Sequence, residues 1–199
     1  MMIVLSLPLL SLTGCASFVA VQMPLREADL YPLSQTRAAI TVAIDEIASA
    51  DRAKDYFGVD LMKEGFLPVN IIVSNHGEHR CAIKPSDVLL LKGKQVIDPV
   101  PIEVVAGIAK SRFWGMTEKT AQQIDGFFAT LALKEAVLAP GETYQGVLFF
   151  RAIMGEMEED RFFTIMRLFR ESGLKLEVAI TDLETHERVH FGPFSLSTL

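Results

Sequence analysis

The residues able to do chemistry are few. His76, Glu78 and His79 fall together in one expected turn, and His186, Glu187 and His190 lie near another. Zinc takes three or four N, S or O ligands held rigidly, usually from spaced pairs on regular elements. Here each group sits on a tip or an edge, and nothing in the spacing pairs one with the other, so polar turn residues are the expectation and no metal site is assigned. No His-Glu-x-x-His is present. The run Glu156-Met157-Glu158-Glu159-Asp160 offers carboxylates for calcium, but it lacks the alternating spacing and the turn glycine of a calcium loop and reads as a solvated segment. A nucleophile fares no better. There is no Gly-x-Ser-x-Gly elbow, Cys81 has no neighbour that would lower its pKa, and no glycine-rich phosphate loop occurs. The expectation is a chain without catalytic residues and without a cofactor.

Cys15 is the exception. Residues 1–25 carry no charged side chain; the first is Arg26. Met1 to Leu12 form an apolar core broken by Ser6, Pro8 and Ser11, followed by Leu12-Thr13-Gly14-Cys15. That core suits the h-region of an export signal and is short for a membrane span. No Lys or Arg precedes it, so a start upstream is an open alternative, as is an uncleaved anchor, which Pro8 and Gly14 disfavour. Leu12-Thr13-Gly14-Cys15 resembles the lipobox of bacterial lipoproteins. The resemblance implies cleavage before Cys15, a diacylglyceryl group on its sulfur, and acylation of the new N-terminus. It also implies a membrane partner reached through that lipid. Ala16, not Asp, follows the cysteine; in the enteric version of the family this directs the protein to the outer membrane, facing the periplasm.

Composition agrees with an exported single domain. The chain has 199 residues, half of them hydrophobic, which excludes a disordered protein. A net charge of -6 argues against a nucleic-acid partner, because phosphate binding needs a basic surface. The only cysteines are Cys15 and Cys81. Lipidation of the first leaves the second unpaired, so no disulfide is expected and Cys81 is read as a buried small hydrophobe.

The elements that would position these residues are mostly strands. After a signal at 1–14, residues 15–36 read as the lipidated N-terminus and a tether that lets a domain at 37–199 stand off the bilayer. Ile40, Val42 and Ile44 alternate with Thr41 and Ala43 as a half-buried strand. Residues 48–57 suit one or two helical turns ending before Gly58. Val69 to Val73 is the clearest strand, and Asn75-His76-Gly77-Glu78 reads as a hairpin turn leading into a return stretch over 79–91. Lys92-Gly93-Lys94 makes the next turn. Ala121, Ile124, Phe128, Leu131 and Leu133 fall near helical spacing, and 103–113 suits a short helix, so a helical insertion is expected around 103–137. Strands resume after Pro140-Gly141-Glu142 with Tyr144 to Phe150. Residues 160–171 are ambiguous, and 174–180 and 188–196 close the chain as a hairpin.

Six or seven such strands with turns between them suggest a mainly β fold, an antiparallel β-sandwich. Gly65-Phe66-Leu67-Pro68-Val69 leading to Asn75, and Pro140-Gly141-Glu142 before an apolar strand, are similar to immunoglobulin-like domains of exported bacterial proteins. Within the insertion, Phe113, Trp114, Phe127 and Phe128 are the candidate partner surface; the competing reading puts the insertion's apolar face against one end or edge of the sandwich. Three functions remain open: a lipid-anchored envelope module that binds or assembles with an envelope protein, a carrier of a small apolar ligand held between the helical insertion and the sheet, and, least supported, an envelope hydrolase.

Overall fold

A computed structural model describes residues 18–151 and 173–196. Its strands are β1 (Ser34–Arg37), β2 (Ile40–Glu46), β3 (Phe66–Asn75), β4 (Cys81–Ile83), β5 (Val88–Lys92), β6 (Gln95–Ile97), β7 (Ala136–Leu138), β8 (Thr143–Arg151), β9 (Lys175–Asp182) and β10 (Arg188–Ser195). Three helices accompany them: α1 (Ala50–Phe57), α2 (Ile102–Ser111) and α3 (Glu118–Leu131). The fold is mainly β, with two antiparallel sheets. One has the order β1-β2-β3-β8. In the other, β10 lies along one edge of β9, while β4 and β5 share the opposite edge, pairing with Thr181–Asp182 and Lys175–Val178 respectively; β7 and β6 flank them.

Period-two alternation sorts the side chains of the first sheet. Leu67, Val69, Ile71 and Val73 of β3 and Leu148 and Phe150 of β8 face the second sheet, where Cys81, Val88, Leu176, Val178, Phe191 and Phe194 meet them. The alternate residues face outward. There Phe66, Val147 and Phe149 are covered by Phe57 of α1, Val105 and Ala109 of α2, and Ile124 and Phe128 of α3. The helices therefore lie on the outer face of the first sheet as a third layer. This corrects the end-or-edge expectation, and it corrects the half-buried reading of β2: Ile40 to Ile44 are buried on both faces.

The helix ends are set by local chemistry. The Ser49 side chain accepts a hydrogen bond from the Arg52 amide, and Gly58, at φ +70°, closes α1 in the left-handed region. Thr117 caps α3 by accepting from the Thr120 amide.

Two further expectations are overturned. The turn after Asn75 is not a hairpin, because β3 and β4 belong to different sheets. Asn75, 1% exposed, holds this crossing together. Its Oδ1 accepts from the Gly77 amide, and its Nδ2 donates to the carbonyls of His79 and Leu138. Nor is the described part of the expected tether free. Residues 18–33 run across the outer face of the first sheet as a strap, and β1 then joins that sheet. Met23 and Ala28 are buried, the Ala28 amide donates to Ser74 Oγ at 2.9 Å, and the Val21 amide donates to the Asp55 carbonyl at 2.8 Å. The strap is apolar where it touches the sheet because the helices leave part of that face uncovered. β1 also reaches the second sheet: Arg37 donates to the His190 carbonyl, and Gln35 Oε1 accepts from the Gly192 amide.

The segments that flank the two helices, rather than the helices themselves, bond to β8, the last strand of the first sheet. Val100, before α2, donates to the Phe149 carbonyl, and Leu133, after α3, donates to the Val147 carbonyl at 3.0 Å. Gly146 permits that approach, since a Cβ there would stand 2.5 Å from the Leu133 Cα. These two bonds cover part of the β8 edge, which would otherwise offer unpaired backbone groups to another strand. No described helix is long and apolar enough to cross a membrane.

Candidate functional site

Cys15, with Leu12, Thr13 and Gly14, lies outside the described residues, as do Glu156 to Asp160 and the ambiguous stretch 160–171. The structure begins at Phe18, three residues after Cys15. Phe18 is clasped by the insertion: its ring lies 5.6 Å from that of Phe113 and 5.2 Å from that of Phe127, both edge-on. It also packs over Gly58, where a Cβ would fall 2.8 Å from the Phe18 ring.

The four aromatics expected to form a partner surface therefore part company. Phe128 is fully buried between Phe57 and Phe149 and belongs to the core. Phe113 and Phe127 are half-buried and engaged with Phe18. Adjacent residues on a helix point about 100° apart, which is how Phe127 and Phe128 serve different layers. Trp114 alone remains outward, 96% exposed, in the turn between α2 and α3.

The two turns, which nothing in the spacing pairs, do come together, through His79, Asp182 and Glu184; of these, only His79 is among the candidate ligands read from the sequence. His79 Nδ1 lies 2.9 Å from Asp182 Oδ2, and with Glu184 these groups place potential ligand atoms within 4.8 Å of one another. Every one of them already has a protein partner. Asp182 Oδ1 accepts from the amides of Glu184 and Thr185, and Glu184 accepts from Arg80 Nε at 3.1 Å. Bonds from the Thr185 amide and from His79 hold the Asp182 carboxyl down to about 2, and the same carboxylate raises the His79 pKa. The arrangement pins the sheet-crossing turn to the β9–β10 hairpin. His186, Glu187 and His190 stay outside it. Beneath it, burial pushes the Cys81 thiol up to about 11, with Asp182 and Glu184 adding to the effect. That is the reverse of what a nucleophilic cysteine needs.

A cleft of about 520 Å³ opens between the strap and α3. Its walls include Ala20, Gln22 and Met23 on one side and Gln123, Phe127 and Thr130 on the other, and Asn70, Gln145 and Val147 form its floor. Gln145 Nε2 donates to the Met23 carbonyl at 3.2 Å and so ties strap to floor. Asn70 Oδ1 and Gln145 Oε1 are buried with no hydrogen-bond partner among the described residues. Buried acceptors of this kind usually mark a place for water or a bound molecule. Sequence reasoning missed both residues, although one signal was available: Asn70 interrupts the run Val69-Asn70-Ile71-Ile72-Val73 at a position facing away from the sandwich core.

No protein-family model and no curated protein matches the chain. Among solved structures it is similar to ycdA of Bacillus subtilis, provisionally described as a lipoprotein, at 12% identity over 83% of this chain, with a TM-score of 0.44. It spans only 38% of the length of that protein. It is also similar to the yjhA protein of Bacillus subtilis, at 12% identity over 80% of this chain and 95% of the other, with a TM-score of 0.43. A Listeria monocytogenes protein of unknown function follows at 14% identity, 82% coverage of each chain and a TM-score of 0.36.

Proposed function

We propose that this chain is a lipid-anchored cell-envelope protein whose β-rich domain works as a non-catalytic binding or assembly module. The observation that carries the reading is Leu12-Thr13-Gly14-Cys15 at the end of an uncharged apolar leader. A single acyl chain holds a protein only marginally, at roughly 10⁴ M⁻¹, whereas two or three hold it stably at about 0.8 kcal/mol per buried CH₂. A multiply acylated Cys15 therefore anchors the domain without a spanning helix. Confinement to a surface raises its effective concentration for an envelope partner on that surface. Ala16 after the cysteine supports the outer membrane as the address, with the domain facing the periplasm. The finer, immunoglobulin-like description of the sandwich belongs to the same proposal. It is supported by β3 pairing β8 in one sheet while β4, β9 and β10 run side by side in the other. Cys15→Ser, or treatment with globomycin, should leave unprocessed precursor in the cell; normal maturation of the variant defeats the reading.

A second reading, carriage of a small ligand, is favoured by the cleft beside α3. Its walls are largely apolar, and Asn70 Oδ1 and Gln145 Oε1 are two acceptors in want of donors. The ligand that suits it has an apolar body and an N–H or O–H group. Native mass spectrometry of the protein isolated from its own envelope should show an added mass that Phe127→Trp, which fills the cleft, removes; no added mass in any preparation sets the carrier aside.

A further inference from the structure

We propose that the α2–α3 turn, with Trp114 at its tip, rests in the interfacial layer of the membrane to which the protein is anchored. This rests on the acylation of Cys15 proposed above. Phe18 is fixed to the insertion by Phe113 and Phe127. Only Ala16 and Ser17 stand between it and Cys15, three Cα–Cα steps in all. However those residues run, three fully extended units span at most about 11 Å. A lipidated cysteine thus lies within about 11 Å of a residue packed against Phe113, and Trp114 is the next residue along the chain. The headgroup zone on each side of a bilayer is roughly 5–7 Å deep. A lipid on Cys15 accordingly brings the turn down to the surface and leaves the domain no room to stand off.

The turn is chemically suited to that position. Trp114 is 96% exposed, although tryptophan is a residue that folded domains mostly bury. Its amphipathic ring is the side chain that membrane interfaces favour. Met116 and Val19, 38% and 69% exposed, add apolar surface on the same turn and on the residue next to Phe18. Lys110 and Arg112 flank the tip but are paired with Asp125 and Glu64, so the contact is one of aromatic insertion rather than of charge. Phe18 links the two: it fixes the chain next to the anchor to the base of the tip.

Trp114 is the only tryptophan in the chain, so its fluorescence reports on this residue alone. The experiment takes the acylated mature protein in phosphatidylethanolamine–phosphatidylglycerol vesicles, isolates the floated fraction, and compares it with an unacylated form that lacks residues 1–14 and carries Cys15→Ser, in detergent-free buffer. The expected result is flotation with emission moved to shorter wavelength, acrylamide quenching reduced several-fold, and new quenching by lipids brominated near the headgroup. Flotation with Trp114 still emitting as a water-exposed indole overturns the inference while leaving the anchor in place, and would assign the tip to a protein partner instead. Failure to float overturns the anchor and this inference together. Phe18→Ala is a second variant: it should float equally but return much of the acrylamide quenching, and an unchanged Trp114 signal in it would contradict this link.

Discussion

Met23 separates a packed strap from a loose tether more cleanly than any other residue. Its side chain is 4% exposed and lies with Ile47, Phe57, Phe128, Val147 and Phe149 over the outer face of the first sheet. Met23→Ala deletes the thioether beyond Cβ. Met→Ala at a buried site costs about 2–5 kcal/mol, the spread reflecting how far the site can collapse. Here Met23 borders the 520 Å³ cleft, so the strap has room to settle inward, and the lower part of that range applies, about 2–3 kcal/mol. For a domain of this size the loss corresponds to a fall in Tm of roughly 4–12 °C. If residues 18–33 were a solvated tether, the same substitution would change stability by less than about 0.5 kcal/mol. Leu25→Ala, at a 57% exposed position in the same segment, serves as the internal control and should stay within that bound. Far-UV circular dichroism in urea is the suitable probe, because Trp114 is already exposed when the protein is folded and would report little. A Met23→Ala protein as stable as its Leu25→Ala counterpart refutes the packed strap.

Three other outcomes follow from the structure. Gly146→Ala puts a Cβ against the Leu133 backbone and should cost about 1–3 kcal/mol by thermal unfolding, as overpacking does, with an effect below about 0.5 kcal/mol showing that the segment after α3 does not approach β8 as described. The His79–Asp182 pair gives stability a defined pH window: the Asp182 contribution is present above its ordinary value of 3.8 and fades as pH falls towards about 2, while that of His79 is complete below its ordinary 6.5 and is lost as pH rises through its raised folded value. Urea midpoints of the parent and of His79→Gln should therefore differ most between those limits and converge in alkali; parallel profiles would show the pair to be uncoupled. Cys81, with its thiol pushed up to about 11 in the core, should resist iodoacetamide at neutral pH until the domain is unfolded, and rapid labelling of the folded protein would contradict its burial.

How much of this was legible in the residues depends on which signal each element sends. The alternation of Leu174 to Ile180 and the turn over Asp182 to Glu187 spell out a hairpin, and the helical spacing of Ile124 and Phe128 places α3, because each reports a single nearest neighbour. Asn75-His76-Gly77 is different. Its chemistry demands a turn, but turn residues do not say whether the next strand pairs with the last or crosses to another sheet; that is settled by Leu138, Asp182 and Thr181, far away in the chain. The strap was misread because it buries only Met23 and Ala28 of its longer stretch, with no period for a pattern to follow. β2 was read as half-buried because its outer residues Thr41 and Ala43 are small, as a surface crossed by another segment requires, and smallness alone resembles exposure. In the candidate site, aromatic content marked the insertion as notable, yet only the packing separates Phe128 in the core and Phe18's partners Phe113 and Phe127 from the outward Trp114. The cleft residues carry the plainest missed clue, an asparagine inside an otherwise apolar strand.

The lipid anchor governs everything proposed about address and orientation, and it can be read directly. Intact-mass and N-terminal peptide mass spectrometry of the protein purified from its native membrane should find a chain beginning at residue 15, with Cys15 carrying a diacylglyceryl group and an acylated amine. A native chain that still contains residues 1–14, or that begins at an unmodified Cys15, would contradict the account.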